Sequence, residues 1–179
     1  MPLPHNQSYT INDIYSLPDG QRAELIDGHI YMMAPPSTRH QRISNYISTE
    51  INLFIRSHGG DCEVFAAPFA VFLKDENEHD NYVEPDISVI CDSGKLDEKG
   101  CHGAPDWIIE IVSPSSKSMD YGKKQALYLS SGVREYWIVD PIRETVMIYQ
   151  ASDDWVPGFF RFGDLLESGI FDDFVMKIQ

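Results

Sequence analysis

The sequence predicts an α/β (α+β) fold built on a central mixed β-sheet flanked by helices. Short runs of β-branched and aromatic residues recur, as in "PDISVIC", "DWIIEIV", "REYWIVD" and "ETVMIYQ". Two other segments, one starting at Thr38 and one near Asp120, space their apolar residues as helices do. The two kinds of pattern mingle without strict alternation, which places the chain among mixed-sheet folds.

Each element has a local reason. Residues 10–17, "TINDIYSL", read as a short helix with Thr10 as N-cap, closed by Pro18-Asp19-Gly20. "AELIDGHIYMMA" reads as a hairpin, with Asp27-Gly28 as a two-residue turn between residues 24–26 and 29–33. Pro35-Pro36-Ser37 breaks the strand, and a long helix follows over Thr38–His58. Its apolar stripe is Ile43, Ile47, Ile51, Phe54 and Ile55, and Gly59-Gly60 stops it. Residues 62–66 and 69–73 are expected strands around Pro68. "KDENEHDNY" is expected to be an acidic loop. "PDISVIC" and "DWIIEIV" are strands joined by a polar loop over 92–105. A second helix over 120–131 ends at Gly132. "REYWIVD" and, after Pro141, "ETVMIYQ" form an antiparallel pair, and short strands and turns follow from Ser152.

The 179 residues fit a single domain over 1–179, without repeat, linker or low-complexity tract. No apolar segment approaches the roughly 20 residues that span a bilayer. "MPLPHNQSYT" lacks a basic region followed by an apolar run, so no signal peptide is expected. Cys62, Cys91 and Cys101 are odd in number and form no CxxC pair, so they read as free thiols in a reducing cytoplasm rather than as a zinc site. Lys plus Arg number 14 and Asp plus Glu 28, a net charge of −14, which argues against a general nucleic-acid coat protein. An enzyme with a local basic groove stays open, and Arg39, Arg42, Lys117 and Lys123 are candidates for such a rim.

Two expected strands carry an acid where an apolar residue would pack better. Asp86 opens one just after Pro85. Glu110 stands inside "WIIEIV", on the strand face of Ile108 and Val112. A lone carboxylate in an apolar interior is costly unless it is protonated, paired or bound to a cation. If the two strands are neighbours, both acids point to one spot, which then holds a shared proton or a divalent cation. Magnesium and other hard cations take oxygen ligands of this kind. The plainer readings are a turn or cap role for Asp86 and a buried pair with an Arg or Lys for Glu110.

The order of helix, strands, PD, an acid on the next strand, helix and strand resembles the PD-(D/E)xK phosphodiesterase superfamily. More narrowly, "AELIDGHIYMMAPPSTRHQRI", "EPDISVI" and "WIIEIVSPSSKSMDYGKKQALYLSSGVREYWIVDP" resemble its putative restriction endonuclease family. The resemblance implies a restriction-endonuclease-like fold, a DNA substrate and Mg2+ or Mn2+ on Asp86 and Glu110. It also implies a lysine that orients or activates the attacking water. Glu110-Ile111-Val112 has no lysine at the third place, and the resemblance moves that role to Lys124 in "DYGKKQALYL". Lys124 shares a helix face with Tyr121, Leu127 and Tyr128, whereas Lys123 lies about 100° away and reads as solvent-exposed. Glu24 is a further candidate acid, and its plainer reading is a strand-edge glutamate. His40, one turn into the long helix, is a candidate for phosphate contact or proton transfer. A homodimer is compatible with cutting both strands, but no interface signature stands in the sequence.

Other chemistries fit less well. Ser113, Ser115 and Ser116 lack a GxSxG context. The acidic loop has Asp80 where an EF-hand needs glycine. Neither GxxxxGK[ST] nor GxGxxG is present. The rival to an enzyme is a catalytically weak or inactive nuclease-fold module that binds a protein partner through its acidic surface.

Overall fold

The computed structural model describes residues 8–179. Residues 1–7, on which much of the signal-peptide expectation rests, lie outside the described residues. Helix α1 (Ile11–Tyr15) starts at Thr10, whose backbone N–H and hydroxyl both donate to Asp13 Oδ2, at 2.7 and 2.8 Å. Strands β1 (Ala23–Ile26) and β2 (His29–Met32) pair in the register Ile26↔His29 across Asp27-Gly28. Both turn residues have positive φ, 51° and 69°, as a two-residue hairpin with right-handed strand twist requires. Helix α2 (Thr38–His58) is capped by Ser37, whose hydroxyl accepts from the His40 N–H. It buries Ile43, Ile47, Ile51 and Ile55 and ends at left-handed Gly59.

The remaining strands are β3 (Glu63–Ala66), β4 (Val71–Lys74), β5 (Asp80–Val83), β6 (Ile87–Ile90), β7 (Leu96–Asp97), β8 (Gly100–His102) and β9 (Trp107–Ile111). After β9 come a π-helical turn (Met119–Lys123), helix α3 (Lys124–Ser131), β10 (Glu135–Asp140), β11 (Thr145–Gln150) and β12 (Gly158–Arg161). A small pair, β13 (Leu166–Glu167) and β14 (Val175–Met176), lies in the tail.

The fold is α+β with mixed pairing, as expected, but its strands divide between two six-stranded sheets rather than lying in one. The first runs β2-β1-β5-β4-β8-β7 and the second β12-β11-β10-β9-β6-β3. The chain changes sheets around Pro68, so β3 and β4 do not pair with each other. The expected acidic loop contains a strand, β5, which pairs with both β1 and β4. Its Asn81 is fully buried, yet its side chain accepts from Asp27 N and donates to the His79 carbonyl. Those bonds offset the burial of a polar side chain of low strand propensity. The expected loop over 92–105 likewise holds β7 and β8, which extend the first sheet.

Strand β9 is the spine of the second sheet, antiparallel to β6 and parallel to β10. Its alternating side chains feed two cores. Trp107, Ile109 and Ile111 pack with the α2 stripe, with Trp137 and Val139 of β10, and with Phe174, Met176 and Ile178 of the tail. The indole rings of Trp107 and Trp137 meet edge to face with centroids 4.8 Å apart. Ile108 and Val112 face the other way, toward Leu127 and Tyr128 of α3 and toward Ile26, Val71, Leu73 and Val83 of the first sheet. Glu110 belongs to this second face and so enters the core between the sheets.

The cysteine reading needs correction. Cys62 and Cys91 are joined by a disulfide, and Cys101 alone is free and buried. Glu63 stands opposite Ile90 in the β3–β6 pair, so the next positions outward face one another. A separation of 29 residues carries no local spacing signal for such a contact. With the pair formed, the cysteines no longer argue for a reducing compartment. No helix among the described residues is long and apolar enough to cross a membrane.

Candidate active site

Five elements converge where the two sheets meet. Because β6 and β9 are neighbours with Ile87 opposite Ile109, Asp86 and Glu110 come together at one end of the pair. Asp86 Oδ2 accepts from the Ile111 N–H at 2.7 Å, and the Asp86 N–H lies 3.4 Å from Glu110 Oε2. From the first turn of α2, His40 brings its Nε2 to 3.1 Å from Asp86 Oδ2. From the first sheet, Glu24 of β1 points inward, and its Oε1 accepts from the Glu84 N–H at 3.0 Å.

Lys124 ties these parts together. It is the first residue of α3, and its Nζ lies 2.9 Å from both Glu110 Oε1 and Glu24 Oε1 and 3.9 Å from Asp120 Oδ1. The Tyr128 hydroxyl, one turn on, donates to the same Glu110 oxygen at 2.7 Å. Glu110 is thus accommodated in its apolar strand by a buried lysine and a tyrosine. Lys123 lies on a different face: it is exposed, donates to the Tyr31 hydroxyl at 2.7 Å and stands 3.9 Å from Asp27. Of the candidate rim, Arg39 is bound to Glu144 at 3.0 Å, Arg42 is exposed and Lys117 is half-buried.

The electrostatics follow from more acids than cations in one dry place. Burial pushes Glu110 well above the usual carboxylate range, Lys124 pulls it back, and the charges of Asp86, Asp120 and Glu24 push it up again. Burial also raises Asp120 to about 6, against Lys124 and a hydrogen bond from Ser116. For Lys124, burial disfavours the charge, but Glu110, Glu24 and Asp120 overcome it and hold the ammonium well above its ordinary value. His40 is likewise raised: burial opposes its charge, and the hydrogen bond and charge of Asp86 outweigh that.

The donor set suits a hard cation. It consists of carboxylate oxygens, and the Asp86 side chain keeps 18% exposure while that of Glu110 is reduced to 4%. Asp120 Oδ1 is buried without a hydrogen-bond partner. Among the described residues no group of three His, Cys, Asp or Glu side chains stands close enough to hold a metal ion by itself. Magnesium-type binding uses one or two carboxylates supplemented by waters and substrate phosphate.

The structure brings Asp86, Glu110, Lys124 and Glu24 into one linked cluster and adds His40. Sequence reasoning missed Asp120 and Tyr128 as members. Asp120 resembled an ordinary first-turn acid of a helix, although an acid four residues before a lysine is the spacing that brings two side chains onto one face. Tyr128 was visible only as a helix-face neighbour of Lys124.

Known proteins share this fold and sequence pattern. A solved structure from Anabaena variabilis, described as a putative nuclease belonging to DUF820, superposes with a TM-score of 0.72 at 24% identity, covering 90% of this chain and 89% of that one. That likeness establishes the fold. An uncharacterized Synechocystis protein, slr1290, is 30% identical over 151 residues, which is 82% of this chain and 76% of the relative. The family model Uma2, described as putative restriction endonuclease, matches residues 11–178. The match runs from α1 through the tail and takes in every residue of the cluster, so this chain belongs to the putative restriction endonuclease family.

Proposed function

We propose that the chain is a metal-dependent phosphodiesterase, a cytoplasmic DNA endonuclease, with residues 1–179 working as a single PD-(D/E)xK nuclease-like domain. The observation that carries this reading is the contact of Lys124 with Glu110 at 2.9 Å, beside Asp86 on the neighbouring strand. A lysine displaced from the strand to the following helix still reaches the acid it serves. Asp86 and Glu110 would hold Mg2+ or Mn2+, which supplies Lewis-acid polarisation of the scissile phosphate and a water of lowered pKa. Lys124 orients that water and stabilises charge developing on the phosphoryl oxygens. Glu24 fixes the lysine from the opposite sheet, and the Ile111 N–H and His40 hold the Asp86 carboxylate in one orientation. Arg42 and Lys117 supply local positive charge for the DNA backbone. A homodimer would provide two such centres for cutting both strands.

The net charge of −14 favours a second reading, an inactive module that binds a basic protein partner. Plasmid cleavage decides between them. Purified protein should nick or cut DNA with magnesium or manganese and stop in chelator. Asp86→Ala and Glu110→Ala should abolish cleavage, Lys124→Ala should lower turnover with metal affinity retained, and Lys123→Ala should leave turnover unchanged. Protein inert on duplex DNA, single-stranded DNA and RNA across metals moves the binding module ahead. Cleavage retained in both acid variants overturns the site.

A further inference from the structure

Asp120 is a buried acid with unfinished bonding. Its side chain is 2% exposed, and Oδ2 is braced by the Ser116 hydroxyl at 2.6 Å. Oδ1 has no hydrogen-bond partner and faces the Lys124 ammonium from 3.9 Å, just beyond hydrogen-bond reach. A buried carboxylate oxygen without a partner costs free energy. Such an arrangement persists where another state of the site completes the bond.

The geometry of Lys124 supplies that state. An ammonium has three protons to donate. Two acceptors, Glu24 Oε1 and Glu110 Oε1, stand at 2.9 Å, and the third, Asp120 Oδ1, waits further out on the same helix face. Glu24 is anchored independently by the Glu84 N–H. Glu110 is the acceptor that also faces Asp86, through Oε2, so a cation held there competes with the ammonium for its charge. We propose that Asp120 is a positioning residue for Lys124: when Glu110 is committed to a divalent cation, the ammonium closes onto Asp120 Oδ1 and stays aimed between Asp120 and Glu24 instead of swinging free. Asp120 lies in the π-helical turn over Met119–Lys123 and Lys124 directly follows it, an irregularity frequent at functional sites. The Ser113–Ser116 turn that braces Asp120 is itself tied by reciprocal bonds, the Ser113 N–H to Ser116 Oγ at 3.0 Å and the Ser116 N–H to Ser113 Oγ at 3.1 Å. This inference rests on the nuclease reading for its consequence in turnover, but not for its geometry.

Two measurements separate those dependencies. The first uses lysine ammonium resonances in 1H–15N spectra of the full chain, with and without magnesium, and requires no cleavage. The parent should keep a protected Lys124 signal in both states. Asp120→Leu, which has no acceptor, should keep it in chelator and lose it on adding magnesium, as proton exchange speeds up. The second is steady-state cleavage. Asp120→Leu should lower kcat by about 10- to 100-fold, the worth of one hydrogen bond to a charged group, with KM and manganese affinity unchanged. Ser116→Ala, which removes the brace together with the Ser113 N–H bond to Ser116 Oγ, should shift both readouts in the same direction by less, and it serves if the Asp120 variant does not fold. A parent without nuclease activity removes the function but leaves the resonance test to decide the positioning role. A Lys124 signal unaltered by magnesium in Asp120→Leu overturns the proposal. So does a loss of kcat accompanied by an equal loss of metal affinity, which would make Asp120 a ligand or a general structural support.

Discussion

Glu110 sits among Ile108, Val112, Leu127 and Tyr128 with its charge answered by Lys124. Its presence in an apolar run was legible from the sequence, because nothing else in "WIIEIV" has a reason to be polar. What answered the charge was less so. A cation and a buried lysine both satisfied the same anomaly, and the structure combines the lysine with an oxygen-rich mouth at Asp86. Because Glu24, Glu110 and Asp120 surround a single ammonium, the site carries excess negative charge without metal. Glu110→Gln removes one acid at nearly constant shape, an acid that burial already holds toward its neutral form, and leaves Lys124 with Glu24 and Asp120. The Gln variant should therefore melt at an equal or higher temperature than the parent in chelator at neutral pH. Manganese should then separate the two. At about 100 times its dissociation constant a native-state ligand adds about 2.7 kcal/mol. At roughly 2–4 °C per kcal/mol for a domain of this size, the parent should gain near 5–10 °C and the variant much less. A Gln variant that melts well below the parent in chelator, with no manganese shift in either, would make Glu110 a purely structural ion-pair partner.

Elements with strong periodicity were readable and those built on polar residues were not. The bounds of α2, the Asp27-Gly28 hairpin and the β10–β11 pair follow from apolar spacing and turn chemistry alone. Strand β5 begins Asp80-Asn81, and the Asn81 side chain accepts from the distant Asp27 N–H, a bond that local pattern does not encode. The switch from π-turn to α-helix at Lys124 is likewise invisible in a sequence that reads as one helix over 120–131. Strand β10 opens on another buried acid, Glu135, whose carboxylate accepts from Trp137 Nε1 at 2.5 Å, the Gly169 N–H at 2.6 Å and Ser168 Oγ at 3.3 Å. These bonds pin the tail to the second sheet. Burial raises Glu135 from 4.5 to about 7 despite the donors that pull it down. A folded-state value above the unfolded one means that the native protein holds the proton longer. The associated stability is full below about pH 4.5 and declines as the pH rises through about 7. Glu135→Gln does not titrate and lacks one acceptor. Its melting temperature should lie below the parent's at pH 5, and the gap should narrow by up to roughly 3 kcal/mol equivalent by pH 8. Parallel melting curves across that range would show that Glu135 ionises as freely in the folded chain as in the unfolded one.

At the scale of the whole molecule, the candidate site is a seam. Glu24 comes from one sheet, Asp86 and Glu110 from the other, and Lys124 bonds to both sides. The chain order hides this, since Glu24 and Lys124 are separated by most of the fold and no local pattern pairs them. Removing the lysine strands buried acids on two faces that depend on each other, a loss on the order of 3–5 kcal/mol. The edge-to-face pair of Trp107 and Trp137 gives that seam an optical consequence. Both indoles lie in the core of the second sheet, and no strand of the first sheet contains a tryptophan. The third tryptophan, Trp155, packs against the core that the two sheets share, so the parent for this measurement is Trp155→Phe, whose intrinsic emission watches one sheet while far-ultraviolet circular dichroism watches both. In the parent the two signals should lose their native values together under urea, as a cooperative unit requires. In Lys124→Met the dichroism should begin to fall at lower urea than the emission, the first sheet letting go while the indoles are still enclosed. Superimposable curves in that variant would place the coupling in the apolar contacts alone, whereas separated curves would turn the tryptophans into a direct gauge of whether the two halves of the site are still joined.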